Sequence, residues 1–166
     1  MQTLFEKHVA ENYAITAFAL YAACRSFRES TTLLQGLNLQ QTLLLPAMIF
    51  HAKTAESFAN RTRTEGLFYR VLAEQMQLTV GLQDRMQDFA DRTLSSIHFG
   101  VSVGLLVFQK QPEFQICAAV IRKPSNPLGS SASDEAKRII KAADRLGYCF
   151  ATTDFPIICA SLRVSF

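Results

Sequence analysis

Apolar residues dominate the N-terminal part of the chain, and their spacing predicts helices. Residues 3–28 form one helical pattern, in which the run 14–23 is apolar nearly all round. A helix without a polar face is typical of a buried helix or an interface helix. The block 43–50 predicts a short helix or turn with Pro46 in its first turn, where the missing N–H does no harm. Residues 53–59 add one or two helical turns.

A turn-rich connector over residues 30–41 precedes the block 43–50, and two amphipathic helices follow the short polar segment 60–64. Thr64 is predicted to cap the first helix, whose apolar positions run to Met76. Thr79 is predicted to cap the second, whose apolar stripe runs to Ile97. The charged residues of this second helix lie largely off the stripe, which indicates a solvated or partner-facing surface. They are Asp84, Arg85, Asp88, Asp91 and Arg92.

The C-terminal half begins with residues that favour strands. The runs 101–108 and 114–121 predict a β-hairpin, closed by a turn that contains Pro112. Residues 122–133 are rich in proline and serine and predict a flexible loop. Ser133 is predicted to cap a long helix with a regular apolar seam.

A final short helix completes the pattern, with Asp154 as its cap and Pro156 in its first turn. The fold class expected is mainly α (α+β): one compact helical domain over residues 1–166, with a β-hairpin and C-terminal helices. Three helices followed by a hairpin is also the order of a winged-helix unit, although many small α+β domains share it.

Composition adds an apolar surplus to this picture. Hydrophobic residues make up 49% of the chain and charged residues 19%, against about 25% charged residues in an average globular protein. We therefore expect another subunit to cover part of the apolar surface. The net charge of +3 is too small to indicate a nucleic-acid binder by itself. The sequence shows neither a signal peptide nor a membrane span, so a cytoplasmic location is expected.

Residue chemistry alone indicates no catalytic or metal site. The histidines have no metal-ligand spacing and the cysteines form no CxxC pair, so we predict no metal, no cofactor and reduced thiols. These residues are His8, His51, His98, Cys24, Cys117, Cys149 and Cys159. P-loop and GxSxG motifs are also absent from the sequence. The chain is therefore predicted not to be an enzyme.

Two basic features are candidate binding sites. The run Arg61-Thr62-Arg63-Thr64 precedes a predicted helix, where arginines can bind an anion or a partner's carboxylate. A capped turn with solvated arginines explains the run equally well. A basic helix face could contact phosphates, although an ordinary soluble surface is the commoner explanation. That face consists of Arg138, Lys141 and Arg145.

Five short features occur in the order that characterises one protein family. They are Pro46, His51, the run Arg61-Thr62-Arg63-Thr64, the pattern Gly81-Leu-Gln-Asp-Arg85 and the segment Gly147-Tyr-Cys-Phe150-Ala151. In this order they resemble the middle component of bacterial three-component ABC-ATPase conflict systems, the group that includes Lamassu-type antiphage defence. The resemblance covers most of the chain from about residue 10 onward.

The resemblance implies a non-catalytic assembly subunit. Such a subunit bridges an SMC-like ATPase with long coiled coils and an effector, often a nuclease, and meets DNA mainly through the complex. It implies partner binding by the Arg61–Thr64 run and by Arg85, and no membrane partner. The alternative is a stand-alone winged-helix DNA-binding protein, which would bind DNA with a steep salt dependence.

Overall fold

The computed structural model describes residues 12–32, 35–110, 113–119 and 132–166, which form a set of helices and one small sheet. The helices within these ranges are α1 Tyr13–Ser30, α2 Leu39–Ile49, α3 Ala52–Ala59, α4 Leu67–Glu74, α5 Leu82–Ser102, α6 Asp134–Thr152 and α7 Phe155–Leu162, with a 3₁₀ helix at Met76–Thr79. The strands β1 Leu37–Asn38, β2 Leu106–Gln109 and β3 Gln115–Ala118 form one antiparallel sheet in the order β1-β3-β2. The predicted mainly-α fold with a β-hairpin is confirmed.

Helix α1 lies at the centre of the core. It packs most extensively against α6, and also against α5 and β3. Small side chains such as Ala19 and Ala23 are fully buried, so neighbouring helices come close to its backbone. Gly147 of α6 lies so near that a Cβ there would be 2.2 Å from the carbonyl oxygen of Ala23. The prediction that the run 14–23 is buried is correct for most of its positions.

Helix α2 begins earlier than predicted, at Leu39 rather than at residue 43. Asn38 caps it by accepting a hydrogen bond from the N–H of Gln41 at 2.8 Å, and the side chain of Gln41 accepts one from the N–H of Asn38 at 2.9 Å. This capping box supplies a strong start signal within a polar segment that otherwise indicates a connector. Pro46 therefore lies inside the helix, and its predicted place in the first turn was wrong.

Glycines, not threonines, stand at the starts of α4 and α5. Gly66 and Gly81 precede these helices with φ of 73° and 65°. Residues with a Cβ rarely adopt this left-handed conformation, and β-branched threonine is especially unsuited to it. The predicted caps Thr64 and Thr79 were therefore wrong.

The hairpin is shorter than predicted, because residues 101–102 still belong to α5. Strands β2 and β3 pair with Val107 opposite Cys117 and Phe108 opposite Ile116. Strand β1, which the sequence did not indicate, adds Leu37 opposite Ile116 on the other side of β3. The predicted flexible loop 122–133 falls outside the described residues, apart from its last two positions.

Both C-terminal helices were located correctly. Ser133 accepts a hydrogen bond from the N–H of Ala136 at 3.1 Å, so its predicted role as the cap of α6 is confirmed. Asp154 occupies the cap position of α7 and Pro156 lies in its first turn, although the Asp154 side chain makes no capping hydrogen bond. Within the described ranges, no helix has both the length and the apolar character that a membrane span requires.

Candidate functional site: a charged junction between four helices

The segment 60–66 joins α3 to α4, and its Arg63 side chain reaches two other helices. The guanidinium donates from Nε to Asp144 Oδ2 on α6 at 3.0 Å, and a second N–H bonds the other oxygen of the same carboxylate. Its Nη1 donates to Glu29 Oε2 on α1 at 3.1 Å. The sequence left open an anion or a partner's carboxylate for these arginines, and the chain itself supplies the carboxylate that Arg63 binds.

Asp144 is the anionic centre of this cluster and is only 8% exposed. A buried carboxylate needs several donors to replace the water that it loses. Besides Arg63, it is bonded by the neighbouring Arg145, whose Nε also donates to the carbonyl of Arg61 at 2.7 Å. We refer to Glu29, Arg61, Arg63, Asp144 and Arg145 as the charged junction. Arg145, a predicted phosphate contact, is engaged within it.

Arg61 connects the junction to two further helices. Its Nε donates to the carbonyl of Ser57 in the last turn of α3 at 3.2 Å, where a cation also suits the helix dipole. Its other end pairs with the carboxylate of Glu74 at the end of α4. Thr62 is exposed, and the Thr64 hydroxyl bonds Arg70 of α4. The segment therefore ties α1, α3, α4 and α6 together.

Electrostatics in the junction favour the charged form of Arg63. The hydrogen bonds that Arg63 donates to Asp144 raise the pKa of Arg63 above its ordinary value. Desolvation opposes this rise, and Glu29 adds to it. The interaction is consequently a charge-assisted, bidentate pair, the geometry that arginine forms and lysine does not. The Arg63–Asp144 pair links the segment 60–66 to α6 and so fixes their relative position.

Arg85 performs a similar structural task at the start of α5. Its guanidinium donates to the carbonyls of Val80 at 2.8 Å, Leu78 at 3.3 Å and Ala47 at 3.3 Å. The Ala47 carbonyl lies at the end of α2, and the N–H of His51, which could have bonded it, donates to Met48 instead. Arg85 thus bonds carbonyls at the C-terminal ends of α2 and of the 3₁₀ helix, an arrangement common at helix C-termini.

The Gly81-x-x-x-Arg85 spacing follows from the same geometry. Gly81 supplies the left-handed turn, and a Cβ there would lie 3.5 Å from Nη1 of Arg85. The side chain of Arg85 folds back over this glycine to reach the Val80 carbonyl. Desolvation lowers the pKa of Arg85, because its guanidinium is half-buried.

His51 stands at the start of α3, beside these cations. Its Nδ1 lies 2.8 Å from the hydroxyl oxygen of Thr54. Desolvation lowers the pKa of His51, and the charges of Arg85 and Lys53 lower it further. The ring is thus held neutral and serves as a hydrogen-bonding partner at the helix start.

We expect stability to decline in mild acid because of His51. Its pKa in the folded state lies below the ordinary value of about 6.5, so the unfolded chain binds its proton more readily. The contribution is complete above pH 6.5 and is lost as the pH falls from there through the folded-state pKa. Urea denaturation of the wild type and of His51→Asn between pH 7.5 and 5 measures this loss. The variant should show a shallower decline, and an equal decline in both proteins would contradict the assignment.

The remaining candidate residues are dispersed. Burial raises the pKa of Cys149 to about 12 and also raises that of Cys24, so both thiols are held protonated. Lys141 is exposed and Arg138 is half-buried on α6. His98 lies exposed on α5. Among the described residues, no group of three or more histidines, cysteines and carboxylates could hold a metal ion.

A polar cleft of about 490 Å³ opens beside the junction. It is lined by Lys53, Glu56, Ser57, Asn60, Arg61 and Gln75. Charges of both signs are present, and Arg61 is already paired with Glu74. The cleft therefore offers no concentrated field for an anion or a cation.

Comparison with known protein families identifies the group to which the chain is related. Residues 2–166 match the family model MC3, described as middle component 3 of ABC-three component (ABC-3C) systems. The chain belongs to this family. No curated protein matches the chain, and no solved structure matches it. The resemblance to a middle component of a three-component ABC system is thus confirmed, whereas the Lamassu type stays a prediction.

In this MC3 chain, the motif residues have structural tasks that can now be stated. Arg63 and Arg85 bond groups of the same chain, and Gly147 permits the contact between α1 and α6. Sequence reasoning missed Glu29 and Asp144, the carboxylates of the junction. Asp144 follows Ile140 by four positions and precedes Gly147 by three, which places it on the buried seam of α6. A carboxylate on a buried seam predicts that a cation lies beside it. It does not show that Arg63 is that cation.

Proposed function

We propose that this chain is a non-catalytic adaptor of an ABC-three component system. In this proposal it bridges the ATPase and the effector, with an SMC-like ATPase and a nuclease effector as in the Lamassu type, and foreign DNA is sensed by the complex. Membership of the MC3 family over residues 2–166 is the observation that carries the proposal. An adaptor needs a rigid body and exposed contact surfaces. The charged junction supports the first requirement, and exposed apolar side chains support the second.

Exposed apolar side chains around the hairpin support a partner-binding role. Phe108 and Phe114 are each 45% exposed, and their ring centroids are 5.1 Å apart. Val107 is equally exposed, and Val103 at the end of α5 is 52% exposed. Exposed large apolar groups that contact each other, as Phe108 and Phe114 do, favour contact with another protein.

The charged junction supports the rigid body. Arg63 and Arg85 act in the proposal by fixing the helices, since both side chains bond groups within the chain. In the same segment, the residues proposed to contact a partner are Arg61, Thr62 and Thr64. Thr62 and Thr64 are exposed and could extend the network onto another subunit.

A stand-alone winged-helix DNA binder fits the surface less well. Among the described residues of the hairpin, the exposed side chains include the apolar Val107, Phe108 and Phe114, and Lys110 is the basic one. Helix α5, which precedes the hairpin, exposes three carboxylates. Both features oppose binding to a phosphate backbone, whose affinity comes mainly from lysine and arginine.

Co-purification tests the adaptor role. The three components of the system are expressed together with an affinity tag on the ATPase, with and without this chain. The effector is expected to be recovered with the ATPase only when this chain is present. Recovery of this chain with neither component would contradict the proposal. Retention of the isolated chain on DNA, decreasing steeply with salt, would favour the DNA-binding alternative instead.

A further inference from the structure

The polar cleft beside the charged junction has one wall on helix α3. Four of its lining residues follow one another at the i, i+3, i+4 and i+7 spacing, which places side chains on one face of a helix. They are Lys53, Glu56, Ser57 and Asn60. At 1.5 Å per residue this row is about 10 Å long, which matches about three residues of an extended chain.

Arg61 holds the walls of the cleft in place. Its Nε donates to the carbonyl of Ser57 at 3.2 Å, and its other end pairs with Glu74 at the end of α4. Gln75, which also lines the cleft, directly follows Glu74. The Ser57 hydroxyl is also used within the chain, because it donates to the carbonyl of Lys53 at 2.8 Å. The cleft is therefore formed before any ligand binds, which reduces the entropy lost on binding.

Four other side chains around the cleft keep their hydrogen-bonding groups available. Within the part of the chain that the structure describes, no hydrogen bond or ion pair engages the side chains of Lys53, Glu56, Asn60 and Gln75. Each amide offers donors and an acceptor, and the ammonium and the carboxylate are three positions apart. This set suits a ligand that has both donors and acceptors and carries little net charge.

The chain itself shows how an amide side chain binds non-helical backbone. Gln83 donates from Nε2 to the carbonyl of Ser165 at 3.1 Å, and its Oε1 accepts from the N–H of the same residue at 3.0 Å. One amide thus satisfies both backbone groups of a peptide residue. Asn60 and Gln75 carry the same amide group and can bind a segment that enters the cleft in the same way.

We propose that the polar cleft binds an extended, polar peptide segment from another component of the assembly. Small-molecule sites are lined mainly by apolar and aromatic side chains, whereas all six residues of this cleft are polar. Nucleic acid fits less well, since Glu56 lies beside Lys53 and Arg61 is already paired. The segment is expected to place an acidic side chain near Lys53 and a basic one near Glu56.

The source of the segment follows from the position of the cleft, and it rests on the proposed function. Arg61 lines the cleft, and the exposed Thr62 and Thr64 follow it within three positions. The cleft is therefore continuous with the residues proposed to contact a partner. This continuity assigns the segment to the ATPase or the effector.

Removing the two available amides tests the site. The variant Asn60→Ala/Gln75→Ala should keep the fold, because neither side chain bonds any described residue. Its matched control is Gln40→Ala/Gln87→Ala, which removes two exposed amides from α2 and α5, outside the cleft. Binding of each protein to the purified ATPase and to the purified effector is measured at low and high salt. The amide variant is expected to bind one component about tenfold more weakly at both salt concentrations, and the control within about twofold of wild type.

Exchanging the two charges is an independent test. Lys53→Glu/Glu56→Lys keeps the net charge and reverses the order of the charges along α3. The exchange puts a carboxylate in the first turn, which suits the helix dipole, so the variant should fold. We expect it to weaken the same interaction about tenfold at low salt and less at high salt, because salt screens exposed charges.

Overlapping peptides that cover the bound component identify the kind of occupant. One of them is expected to bind wild type and to lose affinity for the amide variant, since an extended segment needs no folded partner around it. If only the folded component binds, the occupant is a folded surface and the inference is wrong.

Three further outcomes would overturn the inference, and they are distinguishable. If wild type binds a component and the amide variant binds it as tightly, the cleft does not recognise a peptide backbone. If wild type forms oligomers that the cleft variants dissociate, the segment comes from a second copy of this chain. If wild type binds neither component, the proposed adaptor function itself fails. Thermal melts of all variants confirm that each loss of binding occurs in a folded protein.

Discussion

Replacing Gly147 by alanine is expected to destabilise the protein by about 2–3 kcal/mol, because the added Cβ overpacks the α1–α6 interface. That Cβ would lie 2.2 Å from the carbonyl oxygen of Ala23, and 2.8 Å from its Cα. Backbone atoms cannot rotate away, so the two helices must move apart. The estimate includes the gain of about 1 kcal/mol that alanine provides over glycine within a helix.

Gly100→Ala is the matched control, because it makes the same substitution within a helix. There the new Cβ would meet side-chain atoms of Leu106, at 2.7 Å from Cδ1 and 3.0 Å from Cγ, rather than backbone atoms. Urea denaturation should therefore show a smaller loss for Gly100→Ala than for Gly147→Ala, because a side chain yields more readily than a neighbouring backbone. Equal stability of Gly147→Ala and the wild type would contradict the account of the core.

Replacing Arg63 by alanine is expected to cost about 2–3 kcal/mol of folding free energy. The substitution removes two hydrogen bonds from Asp144 and one from Glu29. Asp144 is nearly buried and would retain only Arg145 among its charged partners. Removing one partner of a buried ion pair leaves the other charge without compensation, which destabilises the folded state. A hydrogen bond to a charged group contributes about 1.5–3 kcal/mol, which sets the scale of the expected loss.

Two further variants sharpen this prediction. Arg63→Lys should recover only part of the loss, since lysine cannot bond both carboxylate oxygens in the bidentate geometry. Arg25→Ala removes a longer, partly exposed pair with Glu29 at 3.6 Å and should cost about 0–1 kcal/mol. A folded and fully stable Arg63→Ala that no longer joins the complex would show that the residue binds a partner rather than its own chain.

The helical framework could be predicted from the sequence because its signals are local. Ser133 precedes a regular apolar seam, and Pro156 lies in the first turn of a short apolar helix, so both starts could be located. The nearly all-apolar run 14–23 predicted a buried helix for the same reason.

Helix starts were predicted wrongly where two sequence signals lie close together. The capping box at Asn38 lay within a polar stretch, and it moved the start of α2 so that Pro46 became internal. Gly66 and Gly81 were less conspicuous than the neighbouring threonines, yet only the glycines suit a left-handed turn. The two-residue strand β1 carries too little pattern to be predicted and exists because β3 lies beside it.

The charged junction was predictable only in part. Two arginines before a helix indicated a site for a carboxylate. The carboxylate that fills it is 81 positions away at Asp144, and the other is at Glu29, 34 positions before Arg63. Pairings at such separations are set by tertiary packing, which a single sequence does not encode as a local pattern.

The most direct test of the central claim is the mass of the assembly formed from purified components. The ATPase, the effector and this chain are mixed, and the masses of single complexes are measured with and without this chain. The adaptor account predicts a complex containing all three, and no complex of the ATPase with the effector when this chain is omitted. An ATPase–effector complex that forms equally well without it would contradict the account.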